Sequence, residues 1–209
     1  SGLGNEKLTL SGSTSVVNAN TLAADTTGVI TATITETDAS TLATLNETTN
    51  AYTITVGDTS VTAANLNTID GATTVAVTAT AVTTITGAAA AVITTYDSSG
   101  ISGLGNEKLT LSGSTSVANA NTLAADTTGV ITATITEGDM STLAGLTETG
   151  NAYTVTITDS SVASSALNTL DGKTTAAVNA AAVSTLTGLA ADANTAYASS
   201  GISGLGDEA

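Results

Sequence analysis

The chain has 209 residues, with 18 carboxylates against three lysines, a formal charge of −15 and a pI near 4.1. It contains no His, Cys, Pro, Trp, Phe or Arg, which excludes Ser-His-Asp and Cys-His nucleophile systems, the usual zinc ligand sets, haem ligation and disulfides. Three cations cannot track a phosphate backbone, so nucleic acid is not an expected partner. Only 10% of residues are charged and the mean hydropathy is +0.30, the opposite of a disordered composition.

In chain order, a Gly-rich joint, Ser1-Gly-Leu-Gly-Asn5, leads into an alternating run at 7–10. A short helix is expected over 18–25. A strand follows at 29–35, with Ile30, Ala32 and Ile34 on one face and Thr31, Thr33 and Thr35 on the other, a period of two. Leu42 and Leu45 share a helical face over 38–45, with Asp38 placed to cap it. Tyr52, Ile54 and Val56 alternate with Thr53 and Thr55 in a strand at 51–56. A helix over 64–70 has Ser60 or Thr62 as its cap and Gly71 as a left-handed terminator. A strand at 75–82 and a weakly capped helix over 87–93 complete the series. Helices of two or three turns are unstable alone and need a sheet to lie on.

The series then begins again. Ser1 to Leu10 recurs as Ser102 to Leu111, an offset of 101 residues, and Ser203-Gly-Leu-Gly opens a third copy. We therefore divide the chain into super-repeats at 1–101 and 102–202, each of about four coils, with the start of a third copy at 203–209. The sequence opens without Met and stops at the phase at which it started, so we expect a piece of a longer array. Strands alternating with short helices imply parallel pairing and right-handed crossovers. The expected fold is an α/β solenoid of about 25 residues per coil, whose eight coils would extend over roughly 40 Å. The alternative is an all-β string of two Ig-like sandwiches, since about 100 residues also suits that module. The absent Trp and Pro and the Ala/Asn/Leu helical runs weigh against it.

No catalytic, cofactor-binding or metal-binding residue is expected. Glu36/Asp38 and Glu137/Asp139 are close acid pairs, and Asp58, Asp70, Asp97 and Asp126 sit near turns. No unit gathers three acids within a few residues, so these read as solvated charges that attract Ca²⁺ only loosely. A glycosidase acid pair at Glu36/Asp38 would lack a defined cleft. The Gly-Leu-Gly joint matches only the start of a phosphate loop and reads as a turn. The uncharged stretch from Gly71 to Tyr96 is interrupted by nine threonines and reads as a buried coil, not a membrane span. Asn20 and Asn67 hold equivalent positions and are expected to hydrogen-bond between neighbouring coils. Tyr52, Tyr96, Tyr153 and Tyr197 recur at the 101-residue offset as packing residues.

Val61-Thr-Ala-Ala-Asn-Leu-Asn-Thr-Ile-Asp-Gly71 and Ser184-Thr-Leu-Thr-Gly188, set in near-identical tandem copies, resemble tandem-repeat regions of giant secreted or cell-surface structural proteins of cyanobacteria and other aquatic bacteria. The resemblance implies an extracellular or cell-surface structural or adhesive role and supplies no catalytic residues.

The expected function is a non-enzymatic structural protein: a solenoid rod in a surface fibre, filament, sheath or adhesin stalk. Its expected partner is a second copy, end to end or side by side, with no small-molecule substrate. The alternative is a surface-binding module, such as an ice-binding one, that uses the Thr face. That face comprises Thr31, Thr33, Thr35, Thr53 and Thr55, with Thr132, Thr134, Thr136, Thr154 and Thr156 in the second copy.

Overall fold

A computed structural model describes residues 4–206 and groups the chain into two compact units, Ser1–Glu107 and Lys108–Ala209. In the first unit the order is β1 (Leu8–Thr14), α1 (Val16–Asp25), β2 (Ile30–Ile34), α2 (Ala39–Leu42), β3 (Ala51–Thr53), β4 (Ser60–Thr62), α3 (Ala63–Gly71), β5 (Val77–Thr78), β6 (Thr84–Gly87), α4 (Ala89–Asp97) and β7 (Ile101–Ser102). The second unit repeats it: β8 (Lys108–Thr115), α5 (Val117–Asp126), β9 (Ile131–Ile135), α6 (Met140–Leu143), β10 (Ala152–Thr154), β11 (Ser161–Ala163), α7 (Ser164–Asp171), β12 (Val178–Asn179), β13 (Thr185–Thr187), α8 (Ala190–Ala198) and β14 (Ile202–Ser203).

All the strand pairs within each unit are parallel, and helices alternate with them, a solenoid-like α/β arrangement. In the first unit β1, β2 and β3 form one sheet, the Thr55↔Thr78 bridge continues to β5, and β5 pairs with β7. A separate pair, β4 with β6, runs beside the entry to α3 and α4. The second unit pairs β8–β9–β10, bridges Thr156↔Asn179, and pairs β12 with β14 and β11 with β13. Partners in these ladders lie 20 to 24 residues apart, as in Thr31↔Ala51 and Val77↔Ile101.

One face of each strand forms the core. Ile30, Ala32 and Ile34 are buried beneath the helices, followed by Tyr52, Ile54 and Val56 and then Val77, Ala79 and Ile85. The helices meet them with Val16, Ala19, Leu42, Leu66, Ile69 and Val92. Ala and Val suffice because the two layers are thin, and each fully buried Leu or Ile contributes about 1.5–3 kcal/mol.

Several expectations need correction. The sequence suggested one strand per segment, whereas two of the segments in each unit carry two: β4 and β6, and likewise β11 and β13, were not anticipated. They are short, three or four residues each, so no extended alternation announces them. The strand expected at 75–82 is reduced to Val77–Thr78. Gly71 does not terminate α3 in a left-handed conformation; it is the last helical residue, and Ala72 follows in the right-handed region. Asp38 and Thr62 do cap their helices, accepting from Thr41 N at 2.8 Å and Asn65 N at 3.1 Å. No described helix is long and apolar enough to cross a membrane; the stretch from Gly71 to Tyr96 is divided among β5, β6 and α4.

Candidate functional site

The carboxylates are built into the framework. Glu36 Oε2 accepts from Val16 N at 3.0 Å, so a residue following β2 closes the N-terminus of α1. Asp58 Oδ2 does the same for α2 through Ala39 N at 2.6 Å. Glu137 with Val117 N (3.1 Å) and Asp159 with Met140 N (2.6 Å) repeat both ties in the second unit. A helix N-terminus leaves backbone N–H groups without intrahelical partners and favours negative charge. The sequence had these acids as solvated charges; here a carboxylate from the following segment satisfies those groups.

The acid pairs are thereby split. Glu36 reaches back to α1, while Asp38 caps its own helix, accepting from Thr41 N and from the Ser40 hydroxyl at 2.7 Å. The Ser40 hydroxyl, with the Thr41 amide and hydroxyl, holds the Asp38 carboxyl below its ordinary value. Asp139 is lowered likewise, by Ser141 first and then by Thr142. Asp70 and Asp171 accept from Ser98 and Ser199 hydroxyls, both at 2.6 Å. Asp97 is exposed and Asp126 half-buried, each the last residue of its helix. Among the described residues no three His, Cys, Asp or Glu side chains converge as metal ligands.

The Gly-Leu-Gly joint also turns inward. Glu107, fully buried, accepts from Gly105 N at 2.8 Å, Asn106 N at 3.1 Å and the Tyr96 hydroxyl at 2.7 Å. Glu6 accepts from Gly4 N at 2.6 Å, and that bond is the first cause of its lowered pKa. The N–H groups that a phosphate would need therefore hold the chain's own carboxylate. Gly103 has φ 91°, and a Cβ there would meet Thr80, which fixes glycine at this corner.

Amides and hydroxyls make the remaining ties. Asn20 donates from Nδ2 to Thr44 O (2.8 Å) and accepts from Asn46 N (3.2 Å); Asn67 donates to Ala91 O (2.9 Å). Asn121 and Asn168 donate to Gly145 O and Asp192 O. The expected role of Asn20 and Asn67 between neighbouring segments is thus met. Sequence reasoning missed Thr73, whose Oγ1 accepts from Tyr52 N (2.9 Å) and donates to Tyr52 O (2.7 Å), standing in for a backbone pair. Thr174 does this for Tyr153. It also missed Asn50 and Asn151, whose Oδ1 atoms accept from Ile30 N and Ile131 N at 2.8 Å. The recurring Asn-Ala-Tyr at the head of β3 and β10 was the available signal.

The tyrosines divide. Tyr52 and Tyr153 are buried, as expected of packing residues; burial, then the charges of Glu47 and Glu148, raise their phenols, Tyr153 to about 12. Tyr197 is 52% exposed and does not fit that expectation.

On the face opposite the core, hydroxyls stand in register. Ser13, Thr33 and Thr53 form one row across three parallel strands, with Thr9 and Thr31 forming a shorter row beside it. Thr55, Thr78 and Ser102 make a third. Ala51 interrupts the Thr31 row, and Asn179 replaces Thr78 in the second unit, where Thr156, Asn179 and Ser203 align. Comparison with protein-family models, with curated proteins and with solved structures finds no match.

Proposed function

We propose that the chain is a non-enzymatic structural protein of the bacterial cell surface or extracellular space, a solenoid of about four coils per 101-residue repeat. One observation supports this most: carboxylates, amides and hydroxyls recur at a fixed phase as ties from each segment to the next. Such ties make each segment's stability depend on its neighbour, which suits a load-bearing fibre, sheath or stalk. Head-to-tail assembly with a second copy extends the same logic, because an exposed strand edge presents unpaired backbone groups. Sedimentation velocity and small-angle scattering over a wide concentration range test the reading. An elongated particle whose mass grows with concentration is expected; a compact particle that stays monomeric at the highest concentration refutes the assembling rod.

A second reading, an ice-binding face, draws support from the in-register rows Ser13–Thr33–Thr53 and Thr55–Thr78–Ser102. Parallel strands about 4.8 Å apart with same-face residues about 6.6 Å apart would give a regular hydroxyl lattice. Ice recrystallisation at micromolar protein decides this: wild-type inhibition that Thr33→Lys removes is expected, and unaltered crystal growth with the wild type rejects it.

A further inference from the structure

Each unit holds the same small cleft at the same phase of the repeat. In the first unit Thr26, Thr27, Gly28, Glu47, Thr49 and Asn50 line it, with a volume of about 190 Å³. In the second, Thr127, Thr128, Gly129, Glu148 and Asn151 line a cleft of about 290 Å³. The cleft lies where the end of α1 or α5 turns towards β2 or β9, against the loop that precedes β3 or β10.

The floor is an asparagine with an unused donor. Asn50 and Asn151 are 2% and 6% exposed, and each Oδ1 is fixed by a backbone N–H at 2.8 Å. That bond sets the orientation of the amide and leaves Nδ2 without a hydrogen-bond partner among the described residues. The NH₂ group is thus left open to the cleft, where a ligand oxygen can take the place of water as its acceptor. On the rim stand the exposed carboxylates of Glu47 and Glu148, whose charges help to raise the phenols of Tyr52 and Tyr153.

This donor set selects a ligand class. No Lys or Arg lines either cleft and the chain carries −15, which disfavours phosphate, sulfate and acidic sugars. A fixed NH₂ donor repels a metal ion, and one carboxylate per cleft falls short of the six to eight oxygens Ca²⁺ takes. Ala23 or Ala124 is the one apolar side chain in the lining, too little for an apolar ligand. Both clefts are smaller than the roughly 300–1,000 Å³ of drug-sized sites. A fitting ligand is small and neutral, accepts from the amide and donates to the carboxylate, as neighbouring hydroxyls of a sugar ring do.

We propose that the two clefts are paired subsites, each for one neutral pyranose residue of a glycan. One sugar hydroxyl oxygen accepts from Asn50 or Asn151 Nδ2, and adjacent hydroxyls donate to Glu47 or Glu148. Without an aromatic platform each subsite is weak, and repetition along the chain supplies avidity.

The test is titration of the ¹⁵N-labelled full chain with the methyl glycosides of glucose, mannose and galactose, followed by NMR. Saturable shifts are expected at the amides of 26–28 and 127–129 and at the side-chain NH₂ groups of Asn50 and Asn151, with a Kd on the order of millimolar. The exposed double variant Glu47→Gln/Glu148→Gln should weaken binding roughly tenfold, because a charge-assisted acceptor becomes a neutral one. Asn50→Asp/Asn151→Asp retains the acceptor for Ile30 N and Ile131 N, removes the NH₂ donor and should abolish the shifts. The proposal is overturned if no glycoside gives a saturable shift, if CaCl₂ or inorganic phosphate alone shifts the same signals, or if the Glu→Gln variant binds like wild type.

Discussion

The fourth helices of the two units, α4 and α8, occupy the same place in the repeat but are built differently. Val92 and Thr95 of α4 are both buried, and the Thr95 hydroxyl donates to Asn67 Oδ1 at 2.7 Å. The second unit places Ala193 and Ala196 at these positions, and Asn168 Oδ1 stays buried without a partner. The ties that do not pass through those side chains persist: Asn168 Nδ2 still donates to Asp192 O at 2.9 Å, and Ser199 still bonds Asp171 at 2.6 Å. The framework therefore rests on amide-to-backbone and hydroxyl-to-carboxylate bonds, while side-chain packing above it varies between copies. An open groove of about 530 Å³, lined by Asn168, Asp171 and Asn194 among others, lies where the packing is lighter.

Matched variants can break or sharpen this contrast. The largest effect is expected for Leu66→Ala and Leu167→Ala, each removing a fully buried side chain from α3 or α7 and costing about 2–5 kcal/mol. Urea denaturation followed by circular dichroism should show the larger loss for Leu66→Ala, because Val92 packs in that unit; equal losses would mean that Val92 adds nothing. Next, Asn50→Ala and Asn151→Ala each orphan a buried N–H, of Ile30 or Ile131, and should cost about 1–3 kcal/mol. Equal costs in the two units would place the amide ties in the common framework.

Smaller changes follow. Asp38→Ala and Asp139→Ala should each cost less than the asparagine changes, through loss of a helix cap. Both carboxyls are held below their ordinary value of 3.8, so their contribution is present above that value and lost as pH falls through the lowered folded value. Acid titration of the double Asp→Asn variant should be flatter in that window than wild type. At the alkaline end, Tyr153 is raised from 10.0 to about 12, so its contribution is intact below pH 10 and lost as pH rises through the folded value; phenolate absorbance checks this. The smallest effect is a gain: Ala196→Thr should return a donor to Asn168 Oδ1 and stabilise the second unit by about 0.5–1.5 kcal/mol. No gain would show that the Asn67–Thr95 bond is dispensable in the first unit too.

The sequence by itself determined the 101-residue period, the strand–helix alternation, the Ile30/Ala32/Ile34 face that enters the core, and the caps Asp38 and Thr62. These are local properties: a period-two pattern or a cap is written within a few consecutive residues. For most of the other polar side chains, only the tertiary structure decided where they go. Glu36 to Val16 N, Thr73 to Tyr52 and Asn50 to Ile30 N each span about twenty residues, and nothing local distinguishes such a group from a solvated one. The short β4 and β6 were hidden for the same reason, since each is held by its partner a segment away and carries too few residues to show a period. The clefts at Asn50 and Asn151 likewise exist only after a helix end and a later loop are brought together. Composition excluded whole classes of chemistry; the fold converted the remaining acids and amides into ties between segments and left one amide donor per unit facing a cleft.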